Sequence, residues 1–184
     1  MKTLALLILA SLLPIVSFAQ VPTGRDPNFT SSLNPQFNSA INPEFNSSIN
    51  PQFTSSLNPE FNSAINPQFT SSLNPEFNSA INPKFTSGLN PEFTSKLNPK
   101  ISKWKGFYLF STKAEWIGIF VLVRNDFLLV FSPGGEWIGY LVSNGDGGFN
   151  WFGLEGNWKG YLISNSGGQW NLFTTKAKWI AFTT

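Results

Sequence analysis

The chain has 184 residues, a formal net charge of +2, 12% charged residues and 16% aromatics. It contains no cysteine and no histidine, which excludes thiol nucleophiles, disulfides, lipid attachment through Cys, imidazole bases and ordinary zinc sites. So small a net charge gives no polyanion-binding signature, and nucleic acid is not an expected partner.

Residues 1–19 read as a secretory signal peptide. Lys2 supplies a positive start, Leu4 to Val16 an apolar run broken only by Ser11 and Pro14, and Ser17-Phe18-Ala19 a small-x-small cleavage site that would leave Gln20 first. The apolar run is short for a bilayer span, and no later stretch is long and apolar enough to replace it. The expected location is secreted, periplasmic or cell-surface, and export without disulfides suits a bacterial cell. The sequons at Asn28 and Asn46 follow from the repeat that contains them.

After a linker at 20–25, residues 26–103 carry an octapeptide repeat, Asn-Pro-x-Phe-[Asn/Thr]-Ser-x-[Leu/Ile]. Nine octads run from Asp26 to Leu97, the first opening on Asp26 instead of Asn, and a tenth decays after Asn98. A sixteen-residue period lies on top: Glu44, Glu60, Glu76 and Glu92 alternate with Gln36, Gln52, Gln68 and Lys84. Asn before Pro is a turn signal, because Asn accepts a backbone N–H bond, Pro presets φ near −65° and the preceding residue leaves the α region. Beyond the turn the period is ambiguous. Phe61 and Ile65 share a helix face at a spacing of four, and Phe61, Ser63 and Ile65 share a strand face; the Ser, Thr and Asn content favours strand. Two architectures follow: a thin β-solenoid with two octads per coil, or an extended stalk whose few apolar groups do not offset chain entropy. In the solenoid Glu44, Glu60, Glu76 and Glu92 would stack at the strand spacing and repel, so either a cation such as calcium bridges them or the coil is not sixteen residues; no other metal site is expected.

The repeat changes at residue 104. Trp116, Trp137, Trp158 and Trp179 are spaced by 21 residues, each with a Phe six positions before it (Phe110, Phe131, Phe152, Phe173) and a Gly or Ala two positions after. Each unit reads as strand, short turn and second strand, and SNGDGG and SNSGGQ join units two to three and three to four. Residues 104–184 are therefore expected to be an all-β, aromatic-rich domain of eight antiparallel strands in an up-and-down meander, closed as a barrel or small sandwich and folding independently. Its strands of about eight residues are short for an outer-membrane barrel. The WIGYL and WKGYL runs are similar, over short pieces of 104–184, to the Trp-Gly repeats of some bacterial proteins. They differ in the intervening residue and in length, and no site is carried over.

Alternation places Trp158, Gly160 and Leu162 on one side and Lys159, Tyr161, Ile163 and Asn165 on the other. The Trp–Gly side reads as core and the other as solvent-facing. On that reading Tyr140, Tyr161, Lys159, Asn150 and Asn171 are the candidate ligand-binding residues, since Tyr beside Asn suits sugar stacking with hydrogen bonding and also protein contacts. Glu115 and Glu136 stand at the same place in two units, but their counterparts Asn157 and Lys178 mark a variable turn position. Asp126 and Asp146 sit in joining turns where Asp serves the backbone. The expectation is a non-enzymatic protein without cofactor: a spacer or rod presenting a binding domain for a glycan or surface protein, or a structural component that assembles with itself.

Overall fold

The computed structural model describes residues 20–184; the signal sequence expected at 1–19 lies outside the described residues. Residues 106–183 form eight strands: β1 (Gly106–Ser111), β2 (Trp116–Arg124), β3 (Phe127–Phe131), β4 (Trp137–Ser143), β5 (Phe149–Gly153), β6 (Trp158–Ser164), β7 (Trp170–Thr174) and β8 (Trp179–Thr183). They follow one another as an antiparallel meander, and β8 pairs back on β1 to close a barrel. Closure leaves the sheet no open edge, which matters for strands this apolar.

Each 21-residue unit is a hairpin with a bulge. Register shifts fall at Leu109/Phe110, Val130/Phe131, Trp151/Phe152 and Leu172/Phe173, so that Phe110, Phe131, Phe152 and Phe173 stand opposite Trp116, Trp137, Trp158 and Trp179. The bulge inserts one residue after the Trp and carries the indole to the outer face, away from the Gly that follows it. There the indole N–H of Trp116, Trp137 and Trp179 donates to the carbonyl of Gly118, Gly139 and Ala181 at 2.7–2.8 Å. The glycines answer a different need. A Cβ on Gly139 would lie 2.4 Å from the Phe152 carbonyl oxygen, and one on Gly160 2.2 Å from that of Phe173.

The barrel interior is filled by Leu109, Phe120, Leu128, Val130, Leu141, Phe149, Leu162 and Leu172, with Trp151 and Trp170 beside them. The expected assignment of faces is corrected by the outer surface. Tyr140 and Tyr161 lie there, yet each is only 1% exposed, stacked on the opposing Phe152 and Phe173 at ring-centroid distances of 5.7 and 5.8 Å. The side expected to meet water is a second hydrophobic layer, and the octads cover it.

The octads contain no strand. Each is a pair of tight turns, one at Asn-Pro-x-Phe and one, mostly 3-10, at Ser-x-[Leu/Ile]. In the octad beginning at Asn58, Phe61 N–H and Asn62 N–H both donate to the Asn58 carbonyl at 2.9 and 2.8 Å. Turns prevail over strand because Pro removes a ladder donor in every octad and the small polar residues bond locally. Successive octads are tied by side chains: Asn66 Nδ2 donates to the Pro59 carbonyl at 2.8 Å, Asn62 Nδ2 to Ser56, and Thr70 Oγ1 to Ser63, each reaching back one octad.

Neither a sixteen-residue solenoid nor a stalk results. The octads form a belt lying on the barrel. Asn28 Nδ2 donates to the Ala114 carbonyl in the β1–β2 turn, Gln52 Nε2 to Ala177 in the β7–β8 turn, Lys84 pairs with Glu155 in the β5–β6 turn, and Lys100 with Glu136 in the β3–β4 turn. The belt thus circles the barrel against the strand order. Octad Ile and Leu side chains complete the outer layer: Leu89 and Leu97 belong to one cluster with Phe127, Leu129, Phe131, Tyr140 and Phe152, and Leu57 packs on Tyr161, Ile163 and Phe173. The repeats meet at residue 104, but the cluster runs across that boundary.

Candidate functional site

The belt and the barrel mesh in register. Asn171 Nδ2 donates to the Ile41 carbonyl and Asn150 Nδ2 to the Ile65 carbonyl, both at 3.0 Å. Ile65 follows Ile41 by 24 residues, or three octads, while Asn150 precedes Asn171 by 21, or one hairpin. One further step pairs Leu89 with Leu129, which share a cluster. The same rule relates Asn28–Ala114 to Gln52–Ala177 around the closed ring, then brings Glu76 to Gly156 and Lys100 to Glu136, one residue past the position the rule gives. Three octads match one hairpin.

This register accounts for the five candidate ligand residues. Asn150 and Asn171 are fully buried and hold the belt by their amide N–H groups; Tyr140 and Tyr161 lie beneath it; Lys159 alone reaches solvent. Their expected place on an open face is therefore corrected: the Asn150 and Asn171 amides there receive backbone carbonyls of the belt, while the Tyr140 and Tyr161 hydroxyls are buried without a hydrogen bond among the described residues. Burial raises both tyrosine phenols far above the ordinary range, and Glu60 adds to the effect at Tyr161.

The expected calcium ladder also fails to form. Among the described residues no three acidic side chains come together. Glu60 stands near Trp158 and Lys176, Glu76 near Gly156 and Asn157, because consecutive glutamates meet different barrel turns. Glu115 and Glu136 accept from the hydroxyls of Ser111 and Ser132 within their own turns. The Ser132 bond, then the backbone and Lys100, hold the Glu136 carboxyl below its usual range.

Two surfaces remain. The first is the outer side of the belt. Phe29, Phe37, Phe45, Phe53, Phe61, Phe69, Phe77, Phe85 and Phe93 are each 71–74% exposed, and Ile101 takes the same position at 69% in the tenth octad. Either sequence reading put Phe61 and Ile65 on one face; the paired turns instead separate them, with Phe turned out and Leu/Ile, Asn and Pro facing the barrel. Nothing within one octad distinguishes the two apolar positions, so only the barrel reveals which is buried.

The second is where the belt stops. From Asn28 to Lys100 it spans three of the four steps around the barrel, and the chain then leaves it through Ser102–Lys105 to enter β1. The fourth sector is an open cleft of about 800 Å³ between the 20–25 linker and the tenth octad, lined by Arg25, Lys100, Lys103, Trp104, Lys105 and Tyr108 among others. Tyr108 occupies the position of Asn150 and Asn171 in this sector and meets Trp104 edge-on at 5.2 Å in place of an octad. Its phenol is raised above the ordinary range by partial burial, against the lowering effect of Arg25.

Comparison of the chain with known protein families, with curated proteins and with solved structures finds no match in any of the three. Among the described residues, no helix is long and apolar enough to cross a membrane.

Proposed function

We propose that the protein is an exported, non-enzymatic structural component that assembles with copies of itself through the outer face of its octad belt. The carrying observation is the row of nine phenyl side chains at 71–74% exposure. A lone monomer rarely shows so much organised apolar surface. Burying one such ring against a partner contributes on the order of 2 kcal/mol, and because the belt circles the barrel, the nine rings offer contacts to several partners at once. A chain with only 12% charged residues offers little electrostatic resistance to that association. The leader-like start at 1–19 supports export, and the lack of Cys and His together with the variable turn positions of Glu115 and Glu136 supports a role without catalysis.

Sedimentation velocity of residues 20–184 over a hundredfold concentration range tests this reading. Reversible growth in mass is expected, and the combined Phe45→Ser, Phe61→Ser, Phe77→Ser variant should raise the concentration needed for assembly at least tenfold. Its melting temperature should stay that of the wild type, since those rings contribute little to the folded core. A protein that stays monomeric throughout would defeat the reading.

A further inference from the structure

We infer that the open sector of the belt is the receptor for an Asn-Pro-Glu-Phe turn of a second copy, so that assembly proceeds head to tail. This deepens the self-assembly reading above and rests on it. Among the described residues the cleft is lined by four cations, Arg25, Lys100, Lys103 and Lys105, and by no carboxylate side chain. Arg25 is engaged by the carbonyls of Gly106 and Thr184, and Lys100 by Glu136, whereas Lys103 and Lys105 are exposed and, among the described residues, form no ion pair. Asp26, next to Arg25 in the chain, accepts from the backbone and side chain of Asn28. Between the cations stand the rings of Trp104 and Tyr108.

The complementary surface is on the same molecule. Glu44, Glu60, Glu76 and Glu92 are exposed, each directly followed by an exposed Phe, and among the described residues none forms an ion pair. A carboxylate and a phenyl on adjacent residues of a rigid turn match a cleft of ammonium groups and aromatic rings. In the open sector Tyr108 stands where Asn150 and Asn171 stand under the belt, and its hydroxyl, beside the cations, is able to donate to an incoming carboxylate. The cleft cannot be filled by the molecule's own octads, all of which are committed to the other three sectors. Donor and acceptor patches therefore lie on different parts of one chain, and a contact of this heterologous kind propagates unless rotation closes it.

Two variants of residues 20–184 separate the halves of the contact: Lys103→Glu with Lys105→Glu reverses the cleft, and Glu44, Glu60, Glu76 and Glu92 all changed to Gln neutralise the turns. All six residues are at the surface, and melting curves check that each variant folds. Alone, each should require at least tenfold higher concentration than the wild type to assemble. Mixed, they should form complexes of one cleft-reversed molecule with at most four Gln-variant molecules and stop there, because no molecule then carries both an intact cleft and intact turns. The peptides 57–64 (LNPEFNSA) and 33–40 (LNPQFNSA) differ in one residue; the first should bind the Gln variant's cleft at least tenfold more tightly, and less so as salt rises. If both variants assemble like the wild type while the Phe→Ser variant does not, the phenyl row stands and the cleft proposal falls. Equal binding of the two peptides, or binding of polygalacturonate without binding of peptide 57–64, also overturns it. If no form associates, this proposal and the self-assembly reading fall together.

Discussion

Asn66 uses both ends of its amide: Oδ1 accepts from Gln68 N–H at 2.8 Å and Nδ2 donates to the Pro59 carbonyl of the preceding octad, also at 2.8 Å, in a position 3% exposed. An aspartate could serve the first bond and not the second. The chain shows this itself, since the one octad that opens on Asp is the first, where no earlier octad waits to be reached; Asp26 there only accepts. Asn66→Asp should therefore destabilise by about 3 kcal/mol at neutral pH, because it turns a buried carboxylate toward a carbonyl. The folded-state pKa of that carboxyl would be raised, so the loss is full above the folded pKa and shrinks as the group becomes protonated and able to donate. Urea melts at pH 7 and pH 4 should show the gap to wild type narrowing on acidification. The Asn-Pro turn was legible in the sequence because its mechanism is local. The reach of Nδ2 to another octad was not, since it depends on how octads stack.

At the scale of the element, the mesh of three octads to one hairpin sets what the belt tolerates. Deleting residues 58–65 removes exactly one octad and preserves every local turn, yet it shifts all earlier octads by one against the barrel, or all later ones. Asn171 and Asn150 then meet an equivalent carbonyl one octad away, but either Ala177 faces Glu44 in place of Gln52, or Glu155 faces Glu92 in place of Lys84 and Glu136 loses Lys100. A drop in melting temperature of several degrees is expected, larger than that of removing the terminal octad at 26–33, which displaces nothing. Equal losses would show that belt and barrel are not in register. Both periods, eight and 21, stand openly in the sequence, but nothing in either repeat relates one to the other. The faces of the strands were misread for a similar reason. Alternation placed Trp158 with Gly160, and the bulge at Trp151/Phe152 moves the indole to the Tyr161 side, where the rings lie 6.4 Å apart. The eight antiparallel strands themselves were legible, because turn residues and apolar runs recur every hairpin.

On the scale of the whole molecule the belt and barrel share one outer hydrophobic layer, and neither half should behave as it does in the intact chain. Dilute residues 20–184 should scatter as a compact particle with a radius of gyration of roughly 15 Å, whereas a stalk of the octads would reach on the order of 200 Å. The sharper consequence concerns the barrel alone. Its interior would survive the loss of the belt, since Leu109, Phe120, Leu141, Leu162 and Leu172 belong to a cluster drawn wholly from barrel residues. Its exterior would not. Phe127, Leu129, Phe131, Tyr140, Phe152, Tyr161 and Phe173, all now at or below 1% exposure, would face water together. Sequence repeats alone suggested that 104–184 folds independently; the shared layer implies instead a fragment that aggregates or keeps its strands without fixed packing, detectable as strong binding of a hydrophobic dye with loss of near-ultraviolet dichroism. Adding a separate 20–103 polypeptide should rescue it, because the belt's carbonyls and Leu/Ile side chains supply what the barrel lacks. A fragment 104–184 that melts cooperatively, stays monomeric and ignores the added belt would show that the outer layer is dispensable, and would return the octads to the role of an independent appendage.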